Sequence, residues 1–182
     1  MPDSDFPLSE LIIEKLHDRH ELSSFECEDE TLENFLKDQA LAHQNQHIAT
    51  THVCLHNGKV IAFFTISNAE LELTEKDEKK RLQELGKGYK KYPATLIARL
   101  AVSKGLTDKG IGTYLMNTVV GKILETNEKF SGSRFIITDS YPKAEKFYTK
   151  FGFKRIEPEK NYGQDDNIPM YVDIFKINLP KH

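Results

Sequence analysis

Cysteine is scarce in this chain: Cys27 and Cys54 stand alone, and neither has a second Cys or a His at the short spacings of zinc ribbons or redox pairs. Buried thiols in a reducing compartment are expected. No run approaches the ~18 consecutive apolar residues needed to cross a bilayer. The opening MPDSDFPLSE is acidic, where a secretory leader would be basic and then apolar. A cytoplasmic protein with no membrane partner is expected. Internal repeats, low-complexity tracts and linkers are missing too, which leaves nothing to mark a second domain. The net charge of −3 excludes a nucleic-acid binder that uses its whole surface.

What is present fits one domain. The 182 residues are 38% hydrophobic and 29% charged, the balance of a packed globular protein and not of a disordered one. The charge is unevenly spread. Residues 76–91 carry seven basic residues (Lys76, Lys79, Lys80, Arg81, Lys87, Lys90, Lys91) against three acids (Asp77, Glu78, Glu84), which leaves +4 there and −7 elsewhere. A run of this kind is usually a solvated surface loop; its alternative use is contact with nucleic acid. Leu82 and Leu85 give it little apolar face, so a charged insertion at about 74–92 with a short exposed helix is predicted.

Periodicity orders the rest. Leu11 to Leu16 reads as a strand, and Glu28 to Gln46 as a helix begun by Asp29 or Glu28, with Leu32, Phe35, Leu36 and Ala40 on one face. THVCLH and KVIAFFTIS flank Asn57-Gly58, the strongest short-range hairpin signal. Ala94 to Val102 reads as a buried strand. Gly110 to Thr126 reads as a helix with Ile111, Leu115, Val119 or Val120, Ile123 and Leu124 inward. A strand at 134–138 follows, then a helix from Pro142 to a stop at Gly152, and two closing strands near Phe153–Ile156 and Met170–Ile177.

Chemistry concentrates between the buried strand and the helix after it, in SKGLTDKGIGTYL. Gly110 and Gly112 can adopt positive φ and carry no side chain, so the free N–H groups of a helix's first turn could approach an anion. The dipole would add ~0.3–1 kcal/mol and each charge-assisted hydrogen bond ~1.5–3 kcal/mol, enough to hold a pyrophosphate. Taken alone, the same glycines are equally a packing turn.

The run Leu100-Ala101-Val102 followed by Thr107-Asp108-Lys109-Gly110-Ile111-Gly112 resembles the cofactor motif of GNAT acetyltransferases, a strand ending Leu-x-Val before [Gln/Arg]-x-x-Gly-x-[Gly/Ala]. Thr107 stands where the family usually has Gln or Arg. Downstream, Ala144-Glu-Lys-Phe147-Tyr148-Thr-Lys-Phe151-Gly152-Phe153 resembles the family's A-x-x-F-Y-x-K-x-G-F. Tyr141 replaces a frequent Asn, and Asp139 is the nearby candidate to take over a cofactor contact.

The resemblance implies a single α/β (α+β) GNAT domain, with a mixed, mostly antiparallel sheet of six to seven strands and about four helices. It implies acetyl-CoA as cosubstrate and no metal. Leu100, Ala101 and Val102 would pair with the pantetheine arm as an added strand does; Thr107, Asp108, Lys109, Gly110, Ile111, Gly112 and Thr113 would receive the pyrophosphate. The Val102 N–H would face the oxyanion, and Tyr148, with an ordinary pKa of ~10, would protonate the departing thiolate. Without the upstream turn, Tyr148 would read as a core aromatic. Glu70, Glu72 and Asp139 are candidates for the base, beside a water relay. His43 and His47 share a helical face, yet HQNQH lacks the protease Glu and a third ligand, so no metal is expected there.

Phe25-Glu-Cys27 through Leu32, Phe35, Leu36 and Ala40 resembles a signature of GNAT toxins that acetylate the α-amine of aminoacyl-tRNA and pair with small antitoxins. Glu28 replaces a Gly of that signature. The acceptor is therefore an amine on a small molecule, a protein or an aminoacyl-tRNA; an antitoxin and a homodimer are candidate partners. A non-catalytic coenzyme A-binding module is the remaining class, disfavoured by the presence of Tyr148.

Overall fold

The structure, a computed structural model, describes residues 6–73, 90–157, 160–163 and 166–179. Most of the charged run at 74–92, with its expected short helix, lies outside these residues. Seven strands form one sheet in the order β1-β2-β3-β4-β5-β7-β6: β1 (Ile12–Lys15), β2 (Thr50–His56), β3 (Lys59–Leu71), β4 (Tyr92–Val102), β5 (Phe135–Ser140), β6 (Lys154–Arg155) and β7 (Ile168–Asp173). The pairs β1–β2, β2–β3, β5–β7 and β6–β7 are antiparallel. Among the described residues the α-helices are α1 (Glu30–Asn34), α2 (Ala40–Asn45), α3 (Ile111–Lys129) and α4 (Glu145–Lys150). Among the described residues no helix is long and apolar enough to cross a membrane.

Two compact units divide the chain: residues up to Ser67 with Ile97–Lys122, and Asn68–Leu96 with Ile123 onward. In the first, the Asn57-Gly58 turn has φ of 50° and 74° and sets His56 opposite Lys59, the doubly left-handed turn that matches strand twist. Asp29 begins α1 by accepting hydrogen bonds from the N–H groups of Thr31 and Leu32 at 2.9 and 3.3 Å. Between α1 and α2 the helix widens into a π-type segment, Phe35–Gln39, where one uninterrupted α-helix was expected. The segment carries Phe35 and Leu36 into a core shared with Leu16, Phe25, Val53, Val60, Phe63 and Ala101.

The second unit packs Leu71, Leu73, Tyr92 and Ala94 with Phe135 and Tyr171. Arg134 donates to the buried Asp173 carboxylate at 2.7 Å, so the charge buried on β7 has a partner. The last strand ends at Asp173 and turns into a 3-10 segment, Ile174–Lys176, whereas the sequence suggests a strand to Ile177. Asp173 causes the stop by accepting from the Phe175 N–H at 3.0 Å, the local turn that short acidic side chains favour. Along α3, Ile111, Leu115, Met116, Val119, Val120 and Ile123 are buried while Leu124 is 42% exposed. The inward stripe thus includes Met116 and leaves out Leu124.

Candidate active site

The glycine turn belongs to the first unit. Beyond Val102 the chain is held by N–H donation from Ser103 to the Ile61 carbonyl and from Lys104 to the Glu26 carbonyl, each at 2.8 Å. Three left-handed residues then bend it: Gly105 at φ 80°, Asp108 at 65° and Gly110 at 80°. Gly112, read from sequence as a second positive-φ candidate, lies within the first turn of α3 and does not adopt that conformation. The Tyr114 N–H donates to the Gly110 carbonyl at 3.0 Å, so the helical ladder starts there and the N–H groups of Ile111, Gly112 and Thr113 have no acceptor inside the helix.

Ile111 and Leu115 are buried, which anchors the first turn, while Thr107, Asp108 and Lys109 are exposed. On β4, Ala101 is buried and Leu100 and Val102 are half-buried. The Arg99 guanidinium lies 3.6 Å from the centre of the Phe35 ring, a cation–π contact that ties β4 to the π-type segment. Strand, turn and helix start are thus one continuous, well-anchored stretch, with donors suited to an anion.

Tyr148 belongs to the second unit. Pro142–Ala144 forms a 3-10 turn that leads into α4, and Gly152, at φ 90°, ends it. A Cβ at Gly152 would meet the Lys176 carbonyl oxygen at 3.2 Å, so the position favours glycine on both counts. Tyr148 is 6% exposed, between Phe147 and Phe153 with ring centroids 5.2 and 5.4 Å away. Burial pushes its phenol above the usual range, and a hydrogen bond with Thr138 of β5 opposes the shift. The phenol is consequently protonated at neutral pH, the state a proton donor needs.

Thr138 was not among the residues singled out from sequence. Only its place at the end of an apolar strand could have flagged it. Asp139, next along β5, is exposed. Glu70 pairs with Lys91, and Glu72 is exposed. Arg155 grips Glu145 with two hydrogen bonds of 2.6 and 2.9 Å, fixing α4 against β6 and lowering the Glu145 pKa. The bland and the sharp readings of Tyr148 are compatible: the ring is core, and its hydroxyl has a defined partner.

A strand running into a glycine turn and helix, and a buried tyrosine four residues before a left-handed glycine, define a class that the comparisons identify. Residues 17–173 match the acetyltransferase (GNAT) domain family, and the chain belongs to it. It is an acetyl-CoA-dependent acyltransferase. A tRNA-acetylating toxin of Mycobacterium tuberculosis is 21% identical over 77% of this chain and 82% of its own length. A Tyr→Phe mutant of KacT superposes with a TM-score of 0.75 at 20% identity, covering 91% of this chain and 96% of KacT. AtaT complexed with acetyl-methionyl-tRNA superposes with a TM-score of 0.73 at 22% identity, covering 90% and 94%.

Proposed function

We propose that this chain is a single-domain toxin-type enzyme that moves the acetyl group of acetyl-CoA onto the α-amine of an aminoacyl-tRNA. The observation that carries this reading is the similarity to a tRNA-acetylating toxin over most of both chains, joined by the likeness to AtaT with its acetylated tRNA. In this reading the donor's pyrophosphate rests on the N–H groups of Ile111, Gly112 and Thr113, with Thr107, Asp108, Lys109 and Gly110 forming the loop around it. Leu100, Ala101 and Val102 pair with the pantetheine arm. Asp139 supplies a further cofactor contact.

The acceptor amine, once deprotonated by a base or water, attacks the thioester carbon. The Val102 N–H stabilises the negative oxygen, the carbon–sulfur bond breaks, the Tyr148 hydroxyl gives its proton to the leaving sulfur, and the surplus proton shed by the acylated nitrogen restores the phenol. Thr138 orients that hydroxyl. A Tyr→Phe change, the one carried by the KacT structure and by AtaT structures, removes a phenol hydroxyl and leaves the ring. A cytoplasmic setting, an antitoxin partner like the AtaR bound by AtaT and a homodimer complete the proposal.

The test is transfer of labelled acetyl from acetyl-CoA to a panel of charged tRNAs, beside uncharged tRNA and polyamines. Label on charged tRNA that is released as an acetyl-amino acid after ester hydrolysis supports the reading. Label confined to polyamines overturns it.

A further inference from the structure

Glu14, His17 and His20 lie far along the chain from every residue assigned above, and their side chains converge. Among the described residues they are the grouping of His, Cys, Asp or Glu whose ligand atoms all lie within 4.8 Å of one another. The scaffold beneath them is pinned. Glu14 is on β1 opposite Val53. The buried Leu16 donates its N–H to the Thr51 carbonyl at 2.8 Å and accepts at its own carbonyl from Gln44 Nε2 at 2.7 Å. A turn then closes between the His20 N–H and the His17 carbonyl at 3.2 Å.

Both imidazoles aim at one oxygen. His20, with its side chain 5% exposed, sets Nε2 2.6 Å from Glu14 Oε1, and its Nδ1 lies 3.1 Å from the His17 backbone nitrogen and 3.2 Å from the His17 carbonyl oxygen, so the tautomer that donates to the carbonyl leaves Nε2 free to ligate. His17 stacks on that ring with centroids 3.8 Å apart and 18° between planes, its Nε2 3.5 Å from the same Oε1. The His17 Nδ1 is buried and has no hydrogen-bond partner.

We propose that Glu14, His17 and His20 form a binding site for a divalent transition ion of the zinc type. Two imidazole nitrogens and one carboxylate oxygen are a donor set this class of ion favours, with a fourth position left to water. The partial exposure of Glu14 and His17, 42% and 36%, leaves room for that water. Metal–ligand bonds of ~2.0–2.2 Å put tetrahedral ligands roughly 3.3–3.6 Å apart. The His17–Glu14 separation already fits. Glu14 withdraws from His20 by somewhat under ~1 Å, and the more exposed His17 ring tilts to bring the ion near its plane. The ion then clips the end of β1 to the turn after it.

The experiment uses the untagged full chain, titrated with zinc by calorimetry and with cobalt by visible absorption. One ion per chain is expected, with a cobalt spectrum of nitrogen and oxygen ligands. Affinity should fall about tenfold or more in His17→Ala and in His20→Ala, and be unchanged in Cys27→Ser. If His20→Ala does not fold, the half-exposed His17→Ala carries the test. Absence of heat at a large excess of zinc overturns the proposal. So does a thiolate charge-transfer band, or zinc affinity that survives His17→Ala. None of these readouts depends on acetyl transfer.

Discussion

Gly110 sits at φ 80° immediately before α3, a region that a β-branched side chain enters only at a cost of order 1–3 kcal/mol. Gly110→Val should therefore move the first turn and abolish acetyl-CoA binding while leaving a folded protein, as read by calorimetric titration beside circular dichroism. Tyr148→Phe is the milder change. The ring keeps its packing against Phe147 and Phe153, so cofactor binding should persist. Turnover should fall by ~10²–10⁴-fold, the range for loss of a general acid; single-turnover kinetics at saturating acetyl-CoA separate the two effects. Unchanged turnover would reduce Tyr148 to a packing residue.

His52 shows a different residue-scale effect. It stacks on Phe64 with centroids 4.9 Å apart. Burial, then the charges of Lys122 and Lys15, depress its pKa to about 4. The unfolded chain takes up this proton near pH ~6.5 and the folded chain only near the depressed value, so the unfolded state binds more protons in between. Stability is fully present above pH ~6.5 and is lost as pH falls toward about 4. His52→Gln should flatten this limb of a plot of Tm against pH. A limb of unchanged slope in the variant would assign the acid sensitivity to the carboxylates.

At the scale of elements, Asp29 is the clearest lever. Its side chain accepts from two N–H groups at the start of α1, and Asp29→Ala should lower stability by ~1 kcal/mol, within the ~0.5–2 kcal/mol span for removal of a helix cap, measured by urea denaturation. Features set by neighbours in sequence were legible: the Asn57-Gly58 turn, the Gly152 stop and the Asp29 start each follow from one or two residues. Features set by partners distant in sequence were not. Nothing local distinguishes Leu124 from Ile123 on the helix face, since which one is covered depends on what packs there. The π-type bulge at Phe35–Gln39 likewise seats two adjacent apolar residues in one core, a demand that periodicity alone does not express. In the candidate site the bend at Gly110 was readable from its own residue, the helical conformation of Gly112 was not, and the Thr138 partner of Tyr148 joins two elements and left no pattern.

At the scale of the whole molecule, charge decides which acceptor is compatible with this body. The residues outside 76–91 total −7 and those within it +4, so a polyanion is repelled by most of the chain and a polycation is attracted. An RNA acceptor would need the basic run to overcome that repulsion, because counterion release from phosphates supplies much of the affinity; a polyamine would avoid it. Neutralising Lys79, Lys80 and Arg81 together, which lie outside the described residues, therefore has opposite consequences under the two readings. For charged tRNA, binding should weaken, and the dependence of log affinity on log salt should flatten by up to about one unit of slope for each phosphate that is no longer neutralised. For a small cationic amine the same variant should keep its KM or lower it, since a repelling field has been removed. The measurement is acetyl transfer at several salt concentrations, wild type beside the triple variant. Transfer to tRNA that survives with its salt slope unchanged would free the insertion from any role in acceptor choice and move the phosphate-binding surface elsewhere on the chain.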